Sequence, residues 1–452
     1  MMFTNKKVTV VGSGISGIAA AKLLLHKNAT VTMYDSNEAL DKEKAAERIG
    51  EDITIICGEF TEELAAKTEL LVLSPGVPTD LPFILKLKEQ GVPVWGEIEL
   101  AYQIAGGKFI GITGTNGKTT TTALTGEIMK QWFKEVFVVG NIGIPYTEMA
   151  EQITETSVTV AELSSFQLET VQEDFVPDVS MILNLTPDHL NRHYTMENYA
   201  RAKLNVAKYQ TAEQTCILNY EDRMLQEYAK ELSCRIMWFS GRQKLTEGLY
   251  LDENKILYAE NGTTTEICKT EELNIIGLHN YENAMAAIGA ALCMKVPLSA
   301  IREGLTNFHA VEHRIEFVAT KRGVDYYNDS KGTNPDAAIK GIQAMSKPTL
   351  LIGGGYDKGS EYEEWIAAFE GKVKHLVLIG QTKEKIAETA KKMGVASVVL
   401  KDTFEEAMEF CVSNAVTGDA VLLSPACASW GMFKNYEERG RIFKEYVKGI
   451  VE

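Results

Sequence analysis

Two glycine-rich strand–turn–helix units constrain this chain more than any other feature. The stretches "KVTVVGSGISGIAAAKLLLHKNATVTMYD", residues 7–35, and "KFIGITGTNGKTTTTALTGEIMKQW", residues 108–132, each run from an apolar strand through a glycine turn into a helix. Such a turn lets backbone N–H groups face an anion at the positive end of a helix, so each unit commits its segment to an α/β sheet with a ligand edge. At 452 residues the chain exceeds what one hydrophobic core organises, and two or three domains are expected.

The first turn has the spacing of a dinucleotide fingerprint. Gly12 suits the tight turn, Gly14 the approach of a ligand and Gly17 the packing of helix on strand, with Asp35 following about twenty residues on. From spacing alone a nicotinamide cofactor, a mononucleotide and a purely structural unit all stay open. Further strands are expected at "ITIICG" and "ELLVLSPG", and "VPVWGEIELAYQIAG" supplies a short strand and an apolar helix that close a first domain near residue 97.

The second turn, "GTNGKTT", is a shortened Walker loop. Its small residues let N–H groups of Gly114, Thr115, Asn116 and Gly117 face phosphate, Lys118 can reach β and γ oxygens, Thr119 can ligate magnesium, and Thr120 continues the helix N-terminus. ATP is the expected ligand. Apolar runs at "VFVVG", "VTVAELSS", "DVSMILNL" and "CILN" predict a second parallel sheet, while "RIMWFSG", "GLYLDENKILYA" and "TTEICK" read as an antiparallel addition to it. A third set of strands, "VDYYND", "PTLLIGG", "HLVLIG", "SVVL" and "AVLLSP", alternates with helical stretches beyond residue 310. The expected fold is α/β with three domains: a Rossmann-like N-terminal domain (1–97), a central ATPase-type parallel-sheet domain (98–309) and a Rossmann-like C-terminal domain (310–452).

Glu162, just past an apolar strand, suits a carboxylate assisting phosphate-bound magnesium, or a cap on the following helix. His189, with Asp188 in "NLTPDHLNRH", could be a ligand, a base or a polar loop residue. Both are expected at the carboxyl edge of the sheet that carries the phosphate loop.

Composition narrows the function. A formal net charge of -16 argues against nucleic acid as a partner. Seven scattered cysteines, without a CxxC pair, fit free thiols in a reducing compartment. The N-terminus leaves no room for a signal sequence and no run reaches membrane-span length, so a cytoplasmic protein without membrane insertion is expected.

The ordered stretches "GTNGKTT", "GNIG", "ELSSFQLE", "LNLTPDHL", "YARAKLNV", "GLHNYENAMAA", "EHRIE", "NDSKGTNPDA", "LIGGGYDKG" and "LSPACASWGMFKNYEERG" resemble the Mur ligases of peptidoglycan synthesis over essentially the whole chain. The resemblance implies that ATP phosphorylates a substrate carboxylate and that an amine attacks the acyl phosphate to leave an amide. It implies UDP-N-acetylmuramoyl-L-alanine as carboxylate donor, D-glutamate as acceptor, two Mg²⁺ ions and a monomer. In it Lys118 and Thr119 hold triphosphate and metal, Glu162 and His189 support the metals, and Lys203 is carbamylated; by its residue type alone Lys203 reads as one more helix lysine.

The resemblance also puts Asn280 and Asn283 near adenine, whose edge suits a side-chain amide; by residue type alone they could equally be a helix cap and an exposed helix residue. Arg314, Asp329 and Lys331 would reach the nucleotide from the C-terminal domain, and Thr333, Lys358, Ser429 and Tyr436 would surround D-glutamate. His313 receives no role. Ile15, Ser16, Asp35, Ser36, Asn37 and Gly76 would face the uridine nucleotide, with Asn141 and His189 near the substrate carboxylate. Asn191 stands where many relatives carry aspartate, which removes a negative charge beside the second metal position. A catalytically silent nucleotide-dependent interaction protein is the competing class.

Overall fold

Runs of β-branched and aliphatic residues, buried on both faces by crossover helices, build most of the strands of this protein. The computed structural model describes residues 2–51, 53–141 and 143–451; Ile142 of the "GNIG" stretch lies outside them. Among the described residues twenty strands form three sheets.

The first sheet contains β1 (Lys7–Val11), β2 (Thr30–Asp35), β3 (Thr54–Cys57), β4 (Leu70–Leu73) and β5 (Val94–Gly96), all parallel and ordered 3-2-1-4-5. The second contains β6 (Lys108–Thr113), β7 (Val136–Gly140), β8 (Val158–Glu162), β9 (Val179–Ile182), β10 (Thr215–Asn219), β11 (Arg235–Ser240), β12 (Gly248–Asp252), β13 (Lys255–Glu260) and β14 (Thr263–Lys269). Its order is 14-13-12-11-10-9-6-8-7. The third contains β15 (Glu316–Lys321), β16 (Val324–Asn328), β17 (Thr349–Gly354), β18 (Val373–Ile379), β19 (Val398–Leu400) and β20 (Ala420–Leu423), ordered 15-16-20-17-18-19.

The three-domain α/β architecture follows the sequence expectation, with two differences. "RIMWFS" is not part of an antiparallel addition: β11 runs parallel to β10 and β12 runs parallel to β11, so the antiparallel pairing begins only at β12–β13. The short β11 and β12 runs carry no direction in their composition, and only their neighbours decide it. Strand β15, "EFVATK", was absent from the expected set; it forms an antiparallel hairpin with β16, and its mixture of exposed and half-buried residues hides it from a search for apolar runs.

By contacts the chain divides into two units, residues 1–268 with 282–305, and residues 269–281 with 306–452. In the first unit one apolar core runs from Val8, Val10 and Leu24 of the N-terminal sheet to Phe109, Leu163 and Leu168 of the central domain. Helix Glu97–Tyr102 joins them: Tyr102 packs its ring 5.3 Å from Phe109 and 4.8 Å from Phe175. In the second unit two clusters lie around the sheet, one including Trp365, Leu351 and Leu422, the other Ile352, Leu423 and Phe443.

Helix Glu97–Tyr102 begins on a buried carboxyl. Glu97 Oε1 accepts hydrogen bonds from the backbone N–H and hydroxyl of Thr147, at 2.8 and 2.9 Å. Burial outweighs these bonds and raises its pKa. A carboxyl whose folded pKa lies above its unfolded value of about 4.3 subtracts stability as pH rises toward the folded pKa. Glu97→Gln keeps an acceptor for Thr147 without the titration, so denaturant unfolding should find it at least as stable as the parent at pH 8. Glu97→Ala should lose about 2 kcal/mol, because it strands both Thr147 donors and leaves a void.

Candidate active site

The order of the central sheet decides which loops meet. Strand β6 lies between β9 and β8, with Thr113 opposite Ile182 and Ile112 opposite Glu162. The phosphate-loop sequence after β6 is therefore flanked by Glu162 on one side and the segment leading to His189 on the other, all at the carboxyl edge. The loop enters helix Lys118–Lys130 through Gly117, whose φ of +86° strongly favours glycine. A Cβ there would stand 2.3 Å from Asn283 Oδ1. Asn283 is buried, not exposed as unaided reading supposed, and its Oδ1 accepts from Thr121 Oγ1 at 3.2 Å.

One brace of this loop escaped sequence reasoning. Asn184 Oδ1 accepts from the Asn116 N–H at 2.8 Å, its Nδ2 donates to the Asn116 carbonyl at 3.1 Å, and its own carbonyl accepts from the Thr115 N–H at 3.0 Å. Asn184 lies within the "NLTPDH" stretch, but its meaning depends on β9 adjoining β6.

Glu162 closes β8 and is buried, with Asn141 Nδ2 donating to Oε1 at 3.0 Å. It does not cap the next helix: Ser164 does, in a reciprocal capping box with Gln167. His189 holds a left-handed conformation, φ +52°, at the start of the one-turn helix Leu190–His193.

Lys203, in helix Met196–Leu204, is only 2% exposed. Its ammonium donates to the Gly114 carbonyl at 2.8 Å and lies 3.4 Å from Thr113 Oγ1. Lys118 donates to that same carbonyl at 2.9 Å and to the Thr115 carbonyl at 2.9 Å. Burial first, and then the charge of Lys118, push the Lys203 pKa well below the ordinary lysine value, against the opposing pull of Asp188 and Glu162. Thr119 lies in the first turn of the helix after the loop, Glu162 ends β8 and His189 precedes the helix Leu190–His193; of these side chains the hydroxyl and the carboxylate are hard oxygen donors of the kind Mg²⁺ prefers. An ammonium at Lys203 would oppose such an ion, and an uncharged or acidic derivative would not.

In the N-terminal sheet β1 lies beside both β2 and β4, so the chain reverses its direction of winding at β1/β4. A Cβ on Gly17 would fall 1.9 Å from the Gly12 carbonyl, which explains that glycine by close packing of helix on turn. Asp35 Oδ2 accepts from the N–H and hydroxyl of Ser13 at 2.9 and 2.6 Å, and Oδ1 accepts from the Asn37 N–H at 3.0 Å. Burial alone would raise this carboxyl; the bonds from Ser13 and Asn37 outweigh it and hold the pKa low. Ile15, 68% exposed, and Ser16 open the first helix, Ser36 follows β2, and Gly76 follows β4 with open space around it.

Within the C-terminal unit the predicted residues again follow strand ends: Asp329, Lys331 and Thr333 after β16, Lys358 after β17, and Ser429 after β20. The Lys331 ammonium lies 5.0 Å above the Tyr436 ring, and that of Lys358 lies 4.6 Å above Trp430. Asn280 is buried and donates to the Ile276 carbonyl at 2.8 Å. His313 is buried too, with its Nδ1 2.9 Å from Asn328 Nδ2. Burial pushes the Asp329 carboxyl up to about 7, against the Ser424 hydroxyl bond at 2.6 Å and the charge of Arg314. Sequence reasoning passed over Arg439. Its buried guanidinium donates to the Ser330 hydroxyl and carbonyl at 2.9 and 2.7 Å and to the Cys427 carbonyl at 3.3 Å, fixing the loops after β16 and β20.

A glycine loop at the carboxyl edge of a parallel sheet, with a buried carboxylate and lysine beside it, defines a nucleotide-dependent α/β enzyme class. Three family models match the chain: "Mur ligase MurD-like, N-terminal domain" over residues 6–96, "Mur ligase middle domain" over 112–291, and "Mur ligase, glutamate ligase domain" over 313–427. Two curated relatives carry the name UDP-N-acetylmuramoylalanine–D-glutamate ligase. The one from Lachnoclostridium phytofermentans is 57% identical over 452 residues, covering 100% of this chain and 99% of the relative. The one from Lachnospira eligens is 55% identical over 451 residues, covering 100% of both.

Among solved structures, the UDP-N-acetylmuramate-alanine ligase of Thermotoga maritima aligns with a TM-score of 0.59 at 19% identity, over 98% of this chain and 99% of that one. MurF from Acinetobacter baumannii aligns with a TM-score of 0.61 at 17% identity, over 98% and 93%; at these identities the likeness concerns the fold. The chain belongs to the Mur ligase family. It is an ATP-dependent, amide-bond-forming ligase of peptidoglycan precursor synthesis, and the family's chemistry implies ATP and Mg²⁺. Among the described residues no helix is long and apolar enough to cross a membrane.

Asp329 gives a pH test. With a folded pKa of about 7 against a reference of 3.8, this group subtracts stability from the ligand-free protein as pH rises from about 4 through 7. The ceiling is on the order of 4 kcal/mol. Asp329→Asn should flatten the fall in unfolding free energy between pH 5 and 8 measured by urea titration; an unchanged slope would refute the raised pKa.

Proposed function

We propose that the protein joins D-glutamate to the lactoyl-L-alanine carboxylate of UDP-N-acetylmuramoyl-L-alanine, in the cytoplasm and as a monomer. Its labour is divided among residues 1–97 for the uridine nucleotide, 98–309 for ATP, and 310–452 for D-glutamate and completion of the ATP site. The buried Lys203 beside the phosphate loop is the observation that carries this reading, and the names of relatives at 57% and 55% identity support its substrates.

Burial and the neighbouring Lys118 charge lower the Lys203 pKa and so raise the share of its free amine. That amine attacks carbon dioxide, loses a proton and becomes a carbamate, exchanging a repelled cation for an anionic oxygen donor. Thr119, Glu162, His189 and the Lys203 carbamate would hold Mg²⁺, which supplies charge neutralisation at the triphosphate. The N–H groups of Gly114 to Thr120 and the Lys118 ammonium hold the phosphates, while Asn280, Asn283, Arg314, Asp329 and Lys331 serve the rest of the nucleotide.

Ile15, Ser16, Asp35, Ser36, Asn37 and Gly76 bind the uridine part of the donor, and Asn141 and His189 attend its carboxylate. The carboxylate oxygen attacks the γ-phosphorus and ADP leaves. The uncharged amine of D-glutamate, held by Thr333, Lys358, Ser429 and Tyr436, then attacks the acyl carbon, and phosphate departs as the amide forms.

Phosphate release and product mass, measured with ATP, Mg²⁺ and the UDP donor against D-glutamate, L-glutamate, L-lysine or no acceptor, test this. Release coupled to a mass gain with D-glutamate alone is expected. Turnover with another amine would overturn the acceptor, and silence with every acceptor would favour the non-catalytic alternative. Lys203→Ala should lower kcat by about a hundredfold or more, since transition-state charge contacts are worth several kcal/mol; a near-normal rate would exclude the carbamate role.

A further inference from the structure

The one-turn helix Leu190–His193 has two ends with different business. His189 begins it at the edge of the central sheet. Its other end reaches the N-terminal domain. One guanidinium nitrogen of Arg192 donates to the Val77 carbonyl at 2.9 Å and to Glu169 Oε2 at 2.8 Å. The same Oε2 accepts from the Thr79 hydroxyl at 3.0 Å. Tyr194, held at φ +67°, donates its hydroxyl to Asp80 at 2.9 Å. Both partners of the Arg192–Glu169 pair are only 14% exposed, so the pair escapes much of the screening that weakens surface ion pairs.

Two chains of contact lead from Arg192. Inward, its guanidinium lies 5.2 Å over the Phe166 ring, and Phe166 packs 5.0 Å from the His189 ring and 5.4 Å from that of His193. His193 is itself fixed, with Nε2 2.9 Å from the Ser165 hydroxyl. Outward, Val77 belongs to the turn after β4, its N–H bonded to the Ser74 carbonyl at 3.0 Å. Ser74 lies against the first glycine turn: a Cβ on Gly12 would meet its hydroxyl at 2.7 Å. Glycine turn, β4 turn, Arg192, Phe166 and His189 thus form one packed series.

From this series we infer that Arg192 is a positioning residue for phosphoryl transfer. It sets the distance between the turns that carry the UDP donor and the His189 edge where the donor carboxylate meets the γ-phosphate, and Glu169 with Thr79 fixes its guanidinium. The inference rests on the ligase reading above. It predicts a particular division of effects. The nucleotide end of the donor is gripped by the first sheet and ATP by the phosphate loop, so loss of Arg192 should leave both affinities nearly intact. The carboxylate would then be misplaced by a fraction of an ångström to an ångström, which costs turnover steeply. Lysine can keep the charge opposite Glu169, but lacks the planar group that lies over Phe166.

The test uses the full-length protein, with Arg192→Ala and Arg192→Lys beside the parent. Donor affinity and stoichiometry are read by calorimetric titration with UDP-N-acetylmuramoyl-L-alanine in the absence of ATP. kcat and KM for ATP are read with D-glutamate as acceptor. Arg192→Ala should bind donor at unchanged stoichiometry, with donor Kd and ATP KM within about threefold of the parent, and with kcat lower by about thirtyfold. Arg192→Lys should recover part of that loss. Thr79→Val should cost less, and combined with Arg192→Ala should add almost nothing, since both side chains act on one carboxylate oxygen.

A kcat within threefold of the parent, a kcat loss matched by lost stoichiometry, or full additivity with Thr79→Val would overturn the assignment and leave the ligase reading standing. A parent enzyme that is silent with D-glutamate would overturn the ligase reading, and the assignment with it.

Discussion

The carbonyl oxygen of Gly114 receives two ammonium groups, from Lys118 at 2.9 Å and from Lys203 at 2.8 Å, and that crowding ties the glycine loop after β6 to the acid–base state of a buried lysine. Two cations at one buried acceptor repel each other, and the one with less access to water yields its proton more readily. Lys203 is the more enclosed. The contact also requires that β6 be an interior strand, because only then can a helix from beyond β9 deliver a lysine to the loop while β8 delivers a carboxylate from the other side. Sheet order, helix placement and the acid–base state of one side chain are thereby a single constraint.

The same logic explains why three sheets are used. Each sheet's carboxyl edge collects loops whose N–H groups and side chains can be aimed independently of the core beneath. In the first unit the two edges are tied by continuous packing, from Leu24 through to Leu168, and by the polar bridge at Arg192. The third sheet is assembled around its own buried polar brace, with Arg439 holding the loops after two adjacent strands. A buried guanidinium is costly unless its donors are met, and three backbone or hydroxyl acceptors meet them here. Burial still draws its pKa down to about 10, so it stays cationic throughout the physiological range.

How much of this was legible in the sequence depends on the range of the interactions concerned. Turn glycines, the capping Ser164 and the apolar runs act within a few residues, so strand ends and the phosphate loop could be located from spacing. Gly117 could be identified as a loop glycine; that Asn283 closes the space above it could not. Glu162 had two readings, and the capping box of Ser164 with Gln167 removes one of them, the helix cap. Lys203 is the opposite case. Nothing within "YARAKLNV" distinguishes a buried lysine from a surface one, since burial comes from β6 and the loop about ninety residues away. Only the family resemblance brought it forward. The direction of β11 and the brace from Asn184 failed for the same reason, since each is decided by a neighbour distant in sequence; β15 pairs with the next strand and escaped because its residues are exposed or half-buried rather than an apolar run.

Arg192 and Asn191 illustrate how a local substitution is to be weighed against such long-range contacts. Asn191 is neutral where the family resemblance leads one to expect an acid, and the helical turn that contains it is bonded on both sides without it. On one side the His189 N–H donates to Asp188 at 2.8 Å; on the other, Arg192 and Tyr194 bind Val77, Glu169 and Asp80. Aspartate at 191 would add a negative charge three residues from Asp188, which the neutral amide avoids. The orientation of His189 therefore owes more to the hydrogen bonds flanking the turn than to the residue at 191. Its placement is a property of the packing between two sheets, to which the short motif contributes the side chains.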